Sequence, residues 1–379
     1  MSNWKTGKER GLVETEELQE ADDSLFPLLD GASGDVDDFP KVGLDKRQIA
    51  NNEFHNLKRR LEAFEDIVDS EIGDTSLLRA RNSEREFGFR QLFLKFEGGN
   101  PTGTQKDRIA FAQAMDALRR GFDTLTLATC GNYGAAVALA AATAGLRCVI
   151  HVPLNYHTRR LEEMLEQGAE IIRVPGDYEH SIEVSRELAM KEELYDANPG
   201  GANTALQLHS YGQIAYEIYD ELRDAPRVIA VPVSNGTTLA GIFRGFLSLY
   251  RRGKTSRLPM MVTGSSFNKN SVVQSFRKGI SKCEDLDPDK IHETSINEPL
   301  INWHSADGDL ALNAIRKTHG WAANASDRKM TSLARLLREK EGLNVLPAST
   351  AGLVALVDWH VQSPLENDRF VAVLTGRNG

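Results

Sequence analysis

The chain has 379 residues, of which 41% are hydrophobic, and it carries a formal net charge of −9. A chain of this length can bury a substantial core and is expected to form two lobes. The negative charge argues against a nucleic-acid partner, and no apolar run approaches the roughly 20 residues that a membrane span needs. The three cysteines form no CxxC pair and the N-terminus has no signal-peptide-like apolar segment, so a cytoplasmic location is expected.

The first 70 residues are interpreted as an N-terminal extension. Residues 12–40 are rich in acidic side chains and contain no lysine or arginine, and a block of one charge sign usually stays solvated. The apolar residues 25–29 within it leave docking on the protein or on a partner as an alternative. A helical apolar period follows over residues 45–70, at Ile49, Phe54, Leu57, Leu61, Phe64 and Ile67.

Strand-like and helix-like segments alternate in the rest of the chain. β-rich runs lie at residues 91–96, 124–128, 147–152, 170–174, 227–233, 259–263 and 370–374, with helical patterns between them, including 134–143 and 157–167. Alternation at this spacing predicts βαβ units around parallel sheets. The expected fold is α/β, with two open twisted parallel-sheet lobes and helices on both faces. The expected boundaries are 1–70 for the extension, 71–205 for the first lobe and 206–379 for the second.

Lys106 lies where a strand gives way to a helix. Residues 91–96 alternate apolar and polar side chains, residues 98–101 break the element, and a helical apolar period begins at Ile109. The positive end of the helix dipole and partial burial both favour the neutral amine, which can form a Schiff base. A P-loop is excluded because residues 98–103 are not followed by Lys-Ser/Thr. For this stretch alone, a surface lysine at the end of a loop is the alternative.

Two further turns have the pattern of a strand end, a polar Gly-containing turn and a helix start, at residues 128–138 and 231–241. Free backbone N–H groups at a helix N-terminus can bind a carboxylate or a phosphate. Ordinary helix-capping turns are the alternative for each pattern taken alone. The last strand ends at Thr375, whose hydroxyl is expected at the carboxyl edge of a sheet, where ligands bind.

Taken together, these segments resemble the fold-type-II, tryptophan-synthase-β-like family of pyridoxal-phosphate enzymes, and within it the threonine synthases. The resemblance runs from about residue 73 to the C-terminus. Thr104 and Gln105 depart from the family's lysine segment, whose other characteristic residues are matched by Lys95, Glu97, Asn100, Pro101, Thr102, Gly103, Lys106, Asp107 and Arg108. Residues 297–303, 326–327 and 341–352 carry the resemblance to threonine synthase in particular.

The resemblance implies pyridoxal 5'-phosphate in the cleft between the lobes, with Lys106 as the catalytic residue that also holds the cofactor. Other cofactor contacts are expected at Asn132, Ser234, Asn235, Gly236, Thr237, Thr238 and Thr375. Substrate contacts are expected at Thr129, Cys130, Gly131, Asn132, Tyr133 and His209. No metal is expected, the partner is a small amino-acid substrate, and a homodimer is expected.

The implied activity is elimination or replacement on an amino acid, with phosphohomoserine as the threonine-synthase-like substrate. His209 stands where the family has an arginine that helps hold the substrate's phosphate, and histidine is a weaker, pH-dependent phosphate partner. Lys95, Arg159 and Arg160 are further candidates for that contact. Two alternatives stay open: β-replacement or deamination of a serine or threonine derivative on the same scaffold, and an inactive binding or regulatory paralogue.

Overall fold

In a computed structural model, which describes residues 45–129, 131–156 and 160–378, strands and helices alternate along the chain. The acidic block at residues 12–40, Cys130 and Arg159 lie outside the described residues, so the expectations for them stay predictions. The strands are β1 (Leu77–Arg79), β2 (Leu92–Phe96), β3 (Thr124–Ala128), β4 (Arg147–Pro153), β5 (Glu170–Val174), β6 (Tyr195–Asp196), β7 (Val228–Pro232), β8 (Met260–Ser266), β9 (Trp321–Ala325) and β10 (Phe370–Leu374).

The helices cover the faces of the sheets. They are α1 (Lys46–Asn51), α2 (Leu57–Glu71), α3 (Arg81–Phe87), α4 (Lys106–Arg120), α5 (Asn132–Ala144), α6 (Arg160–Glu166), α7 (Tyr178–Lys191), α8 (Thr204–Leu222), α9 (Thr237–Arg251), α10 (Ser271–Arg277), α11 (Gly308–Lys317), α12 (Asp327–Glu341) and α13 (Ala351–Gln362). In the part of the chain that the structure describes, no helix combines the length and the apolar character that crossing a membrane requires.

Two parallel sheets form the framework, which confirms the predicted α/β fold. The larger sheet has six strands in the order β1-β2-β10-β7-β8-β9, all parallel except β1, which pairs antiparallel with β2. The smaller sheet has four parallel strands in the order β5-β4-β3-β6. The larger sheet contains strands from both sides of the boundary predicted at residue 205, because β1 and β2 come from the first predicted lobe but pair in this sheet.

Three strands were not predicted from the sequence. β1 and β6 are only three and two residues long, too short to show a period. β9 contains three alanines and an asparagine, residues with little intrinsic preference for strands. It forms a strand because it pairs in register with β8 along five residues, from Trp321 beside Val262 to Ala325 beside Ser266.

The helical period over residues 45–70 is confirmed, but as two helices rather than one. The side chain of Asn56 caps the start of α2, and the chain turns between α1 and α2. Phe54 lies in that turn and is 91% exposed, whereas Phe64 of α2 is fully buried. The Phe64 ring stacks on Phe111 of α4, with 5.7 Å between ring centroids. Helix α2 therefore packs against the helix that begins with Lys106.

Replacing Phe64 with alanine is expected to lower the free energy of unfolding by about 3–4 kcal/mol, because the deletion leaves a cavity beside Phe111. Phe54→Ala removes the same ring from an exposed position and is the matched control, with an expected change below about 0.5 kcal/mol. Urea unfolding followed by circular dichroism measures both values. Equal effects of the two substitutions would show that α2 does not pack on α4 in solution.

Candidate active site

The carboxyl ends of strands from both sheets meet at a cavity of about 490 Å³, here called the outer cavity. Its lining includes Lys106, which follows β2, and Thr129 and Gly131, which follow β3. A smaller inner cavity of about 100 Å³ shares Lys106 with it and reaches residues 234–238 after β7 and Thr375 after β10. This position, outside the carboxyl ends of parallel strands, is where α/β folds bind ligands.

Lys106 is the first residue of α4, and its side chain is half-buried at the cavity. The N–H of the preceding Gln105 donates to the carbonyl oxygen of Thr375 at 3.0 Å, which ties the start of α4 to the end of β10. Burial lowers the pKa of Lys106 to about 8, and the carboxylate of Asp307 partly opposes this shift. The Nζ atom lies 5.4 Å from the centroid of the Tyr133 ring. Near neutral pH a useful fraction of the amine is therefore unprotonated, as a nucleophile or base requires.

A buried network of four charges lies beneath the start of α4. The Nε of Arg108 lies 2.6 Å from Glu97 Oε2, its Nη1 lies 2.6 Å from Glu217 Oε1, and Lys95 Nζ lies 2.5 Å from Glu217 Oε2. Although burial alone would lower the pKa of Arg108, the two carboxylates hold it above its usual range. Burial would likewise raise the pKa of Glu217, but Arg108 and Lys95 lower it to about 2. Lys95, Glu97 and Arg108 belong to the matched lysine segment, whereas Glu217 of α8 had no signal in the sequence. The four residues hold the strand-to-helix junction that carries Lys106, and they line neither cavity.

The start of α5 forms one wall of the outer cavity. Its first two residues, Asn132 and Tyr133, have no hydrogen-bond acceptor for their backbone N–H groups within the described residues. The side-chain oxygen of Asn132 accepts from Arg160 Nε at 3.0 Å, which leaves the Asn132 amide nitrogen as the group that can donate to a ligand. A Cβ added to Gly131 would meet only Glu298 Oε1, at 3.9 Å, so the backbone here is open to the cavity.

Residues 234–238 form a turn whose acceptors are occupied and whose donors are available. The Asn235 carbonyl oxygen accepts from the N–H of Asp307 at 3.0 Å, and the Asn235 side-chain oxygen accepts from Asn302 Nδ2 at 2.6 Å. Gly236, with φ of +96°, turns the chain into α9. Among the described residues no acceptor is bonded to the N–H groups of residues 234–238. Five such donors at the start of a 15-residue helix suit a phosphate group.

Two other predicted residues line the cavities but already have partners. The Tyr133 ring lines the outer cavity, while its hydroxyl donates to the Ala197 carbonyl oxygen at 2.7 Å. Thr375 lines the inner cavity, and its hydroxyl donates to Ser349 Oγ at 3.3 Å. Thr129 lines the outer cavity, and Cys130 lies outside the described residues.

His209, predicted as a substrate contact, does not line either cavity in the part of the chain that the structure describes. His209 is exposed on α8, with Nε2 3.3 Å from the Gln213 side-chain nitrogen. Gln207, two positions earlier, is buried and lines the outer cavity. Successive residues of an α-helix are rotated by about 100°, so side chains two positions apart point to nearly opposite sides. The helix therefore turns Gln207, rather than His209, towards the outer cavity.

The chain is similar to known proteins along most of its length. Residues 68–376 match the model of the family described as pyridoxal-phosphate dependent enzyme. The chain belongs to this family. It is 30% identical to the threonine synthase of Methanocaldococcus jannaschii over 82% of this chain and 76% of that protein. It is 27% identical to the threonine synthase of Methanosarcina acetivorans, over 89% and 82%.

The same fold occurs in solved structures. The serine racemase of Dictyostelium discoideum superposes with a TM-score of 0.68 at 16% identity, over 86% of this chain and 98% of that one. The chain is thus a fold-type-II pyridoxal-phosphate enzyme of the threonine synthase-like group. The site fits the cofactor, since a lysine with a lowered pKa and an N–H-rich turn suited to the cofactor's phosphate both border the inner cavity.

Several residues of the site were not predicted from the sequence. Arg160 was considered only as a phosphate contact, yet it orients the Asn132 amide. Asp307 accepts from the Thr237 hydroxyl at 2.6 Å, and Glu298 faces the turn before α5. Of these three residues, only Glu298 lies in a segment, residues 297–303, that resembles the family. Arg160 and Asp307 reach the site through tertiary packing, which a local sequence pattern does not predict.

Glu217→Gln is expected to lower the free energy of unfolding at neutral pH by about 3 kcal/mol, because it leaves Lys95 and Arg108 with a single carboxylate between them. Glu366→Gln is the control, since the Glu366 side chain pairs with Arg227 at 2.8 Å but is 80% exposed; a change below about 1 kcal/mol is expected.

The effect of Glu217→Gln has a defined pH dependence. Because the folded-state pKa of Glu217 lies near 2, below its ordinary value of 4.5, its stabilisation is present above pH 4.5 and is lost as the pH falls towards 2. Urea unfolding at pH 7 and pH 3 should therefore show a smaller difference between wild type and variant at pH 3. If the free energies of unfolding of wild type and variant differed by the same amount at both pH values, the result would contradict the charge network.

Proposed function

We propose that the chain catalyses elimination or replacement of a side-chain substituent of an amino acid, with Lys106 holding pyridoxal phosphate and moving the proton at the substrate's Cα. The observation that carries the proposal is the position of Lys106. It is half-buried, desolvation lowers its pKa to about 8, and the two cavities that it lines are bordered by turns with free N–H donors. One turn suits the cofactor's phosphate, and the other suits the substrate's carboxylate.

The bound cofactor would supply a sink for the electron pair that proton removal leaves at Cα. The chain's own residues would do the rest. The N–H groups of Asn132 and Tyr133 and the hydroxyl of Thr129 bind the substrate's carboxylate, which fixes Cα beside Lys106 Nζ. Lys106 in its neutral form accepts the Cα proton and, once protonated, can return it to another atom of the substrate.

The phosphate contacts in this proposal are the N–H groups of residues 234–238 and the hydroxyls of Ser234, Thr237 and Thr238. The Thr237 hydroxyl has one proton, which it now donates to Asp307 Oδ2 at 2.6 Å. Burial raises the pKa of Asp307, and a phosphate dianion beside it would favour the protonated acid further. A protonated Asp307 no longer competes for the Thr237 proton, so this acid is compatible with the phosphate site.

Thr375 supports elimination and replacement rather than chemistry that needs a protonated cofactor ring. Its hydroxyl lines the inner cavity at the end of β10. A hydroxyl is too weak an acid to protonate a pyridine nitrogen, so less negative charge can be delocalised into the ring than with a carboxylate partner.

The identity of the substrate is a finer part of the proposal. Similarity to threonine synthases supports phosphohomoserine, with release of phosphate and addition of water to give threonine. The position of His209 removes one expected phosphate contact and favours the alternative, β-replacement or deamination of a serine or threonine derivative. A homodimer and a cytoplasmic location belong to the same proposal and derive from the sequence alone.

Borohydride reduction of the cofactor-loaded protein, followed by peptide mapping, is expected to place the pyridoxyl label on Lys106. Lys106→Ala should abolish the label and the turnover of every amino acid tested. Lys317→Ala, which removes an exposed lysine at the end of α11, should leave both unchanged. A label on Lys95 or any other lysine would refute the assignment of the active site, and a label without turnover of any amino acid would favour the inactive paralogue.

A further inference from the structure

Gln207 of α8 carries a buried polar atom for which the described residues supply no partner. The residue is 1% exposed and lines the outer cavity. Among the described residues, no donor lies within hydrogen-bond distance of its side-chain oxygen, Oε1. Nearly all buried polar groups in proteins are hydrogen-bonded, and an acceptor that stays unpaired loses its hydration without compensation. An unpaired oxygen on a residue that lines a binding cavity therefore indicates a donor on the ligand.

The direction of the Gln207 amide is fixed by a chain of buried hydrogen bonds that starts at a carbonyl group. The Ala197 carbonyl oxygen can only accept, so the Tyr133 hydroxyl donates its single proton to it, at 2.7 Å. The Tyr133 oxygen must then accept from its other partner, the Gln113 side-chain nitrogen. The Gln113 side-chain oxygen in turn accepts from Gln207 Nε2 at 3.1 Å. The nitrogen of the Gln207 amide therefore faces this chain, and its oxygen is the atom left over.

Two further acceptors beside Gln207 Nε2 agree with this direction. The carbonyl oxygens of Asn198 and Ala197 lie 3.3 Å and 3.5 Å from Nε2. Reversing the amide would place the Gln207 oxygen against these two carbonyl oxygens and the Gln113 oxygen, with no proton between them. Rotation of the amide thus cannot satisfy Oε1, and its partner has to come from outside this chain of hydrogen bonds.

In the proposed function, only the side chain of the substrate is left to supply the donor. The substrate's amine is engaged by the cofactor, and its carboxylate has no proton to donate and is held by the N–H groups of Asn132 and Tyr133. A hydroxyl on the side chain is uncharged and donates one proton. It can satisfy a neutral oxygen without the counter-charge that a buried ammonium group would need.

We propose that Gln207 Oε1 accepts a hydrogen bond from a hydroxyl on the substrate's side chain, which makes the site selective for hydroxy amino acids. The inference rests on the proposed function and adds to it a residue that determines specificity. Gln113 and Tyr133 are positioning residues for this contact, because they connect the Gln207 amide to the start of α5. The proposed contacts to the substrate's carboxylate and to its hydroxyl are thereby held by one set of hydrogen bonds.

Spectral titration of the cofactor-loaded protein tests the proposal, because an amino acid that reaches the cofactor changes its visible absorbance. The ligands form two pairs that differ by a hydroxyl in place of a methyl group, L-homoserine with L-norvaline and L-serine with L-2-aminobutyrate. The initial change is recorded before turnover. In at least one pair the hydroxy amino acid is expected to bind with a Kd about tenfold or more below that of its methyl counterpart.

The comparison within a pair is decisive because a buried hydroxyl without an acceptor binds less well than a methyl group. A preference for the hydroxyl therefore requires an acceptor in the site. Methyl ligands that bind as tightly as their hydroxy counterparts in both pairs would overturn the proposal. This measurement uses the wild-type protein and does not depend on the folding of a variant.

Replacement of the glutamine supplies the second measurement. Gln207→Met removes both polar atoms with little change in volume, and it is expected to bring the Kd values of the selective pair to within about twofold of each other. Gln213→Met changes a glutamine of the same helix that lines neither cavity, and this control should keep the preference. If Gln207→Met weakens both members of the pair equally, Gln207 has only a structural role and the proposal is overturned.

The same titration separates this inference from the proposed function. If none of the four ligands and no other common amino acid alters the spectrum, the proposed function itself fails. If amino acids alter the spectrum without a preference for the hydroxyl, only the assignment of Gln207 fails.

Discussion

The buried pairing of Arg108 with Glu97 and Glu217 is the contact on which the active site depends. It joins the end of β2, the first turn of α4 and the middle of α8, and Lys95 completes it from the strand. Buried charges are tolerated only when each has close partners of opposite sign, so the position of one element fixes the others. Lys106, two residues before Arg108, is thereby held where the two cavities meet.

The two cavities beside Lys106 share the turn after β7, since Ser234, Asn235 and Thr237 line both. At the inner cavity, backbone N–H groups after β7 are free while the carbonyl and side-chain oxygens of the same turn are engaged by residues 302–307. At the outer cavity, carboxylates line the walls and Lys106 is the one cation of the described lining. The free N–H groups of the shared turn suit a phosphate.

Much of this site could be predicted from the sequence because its residues follow strands directly. Lys106, Asn132 and Thr375 lie where a strand ends, and the carboxyl ends of parallel strands meet at one edge. His209 could not be placed in this way, because in the middle of a helix a shift of two residues reverses the face. Arg160, Asp307 and Glu298 depend on packing between distant segments. The short or alanine-rich strands β1, β6 and β9 depend on pairing with a neighbour rather than on their own composition.

The proposed chemistry requires a Lys106 amine whose pKa is lowered by desolvation, and competitive labelling measures that pKa directly. The cofactor-free protein is exposed to a trace amine-selective reagent at a series of pH values, and the modification of Lys106 is quantified by mass spectrometry against exposed lysines such as Lys317. The account predicts half-maximal reactivity of Lys106 near pH 8, well below the ordinary lysine pKa of 10.5. A midpoint for Lys106 that matches the exposed lysines would show that the amine is not held in a desolvated site, and would contradict the account.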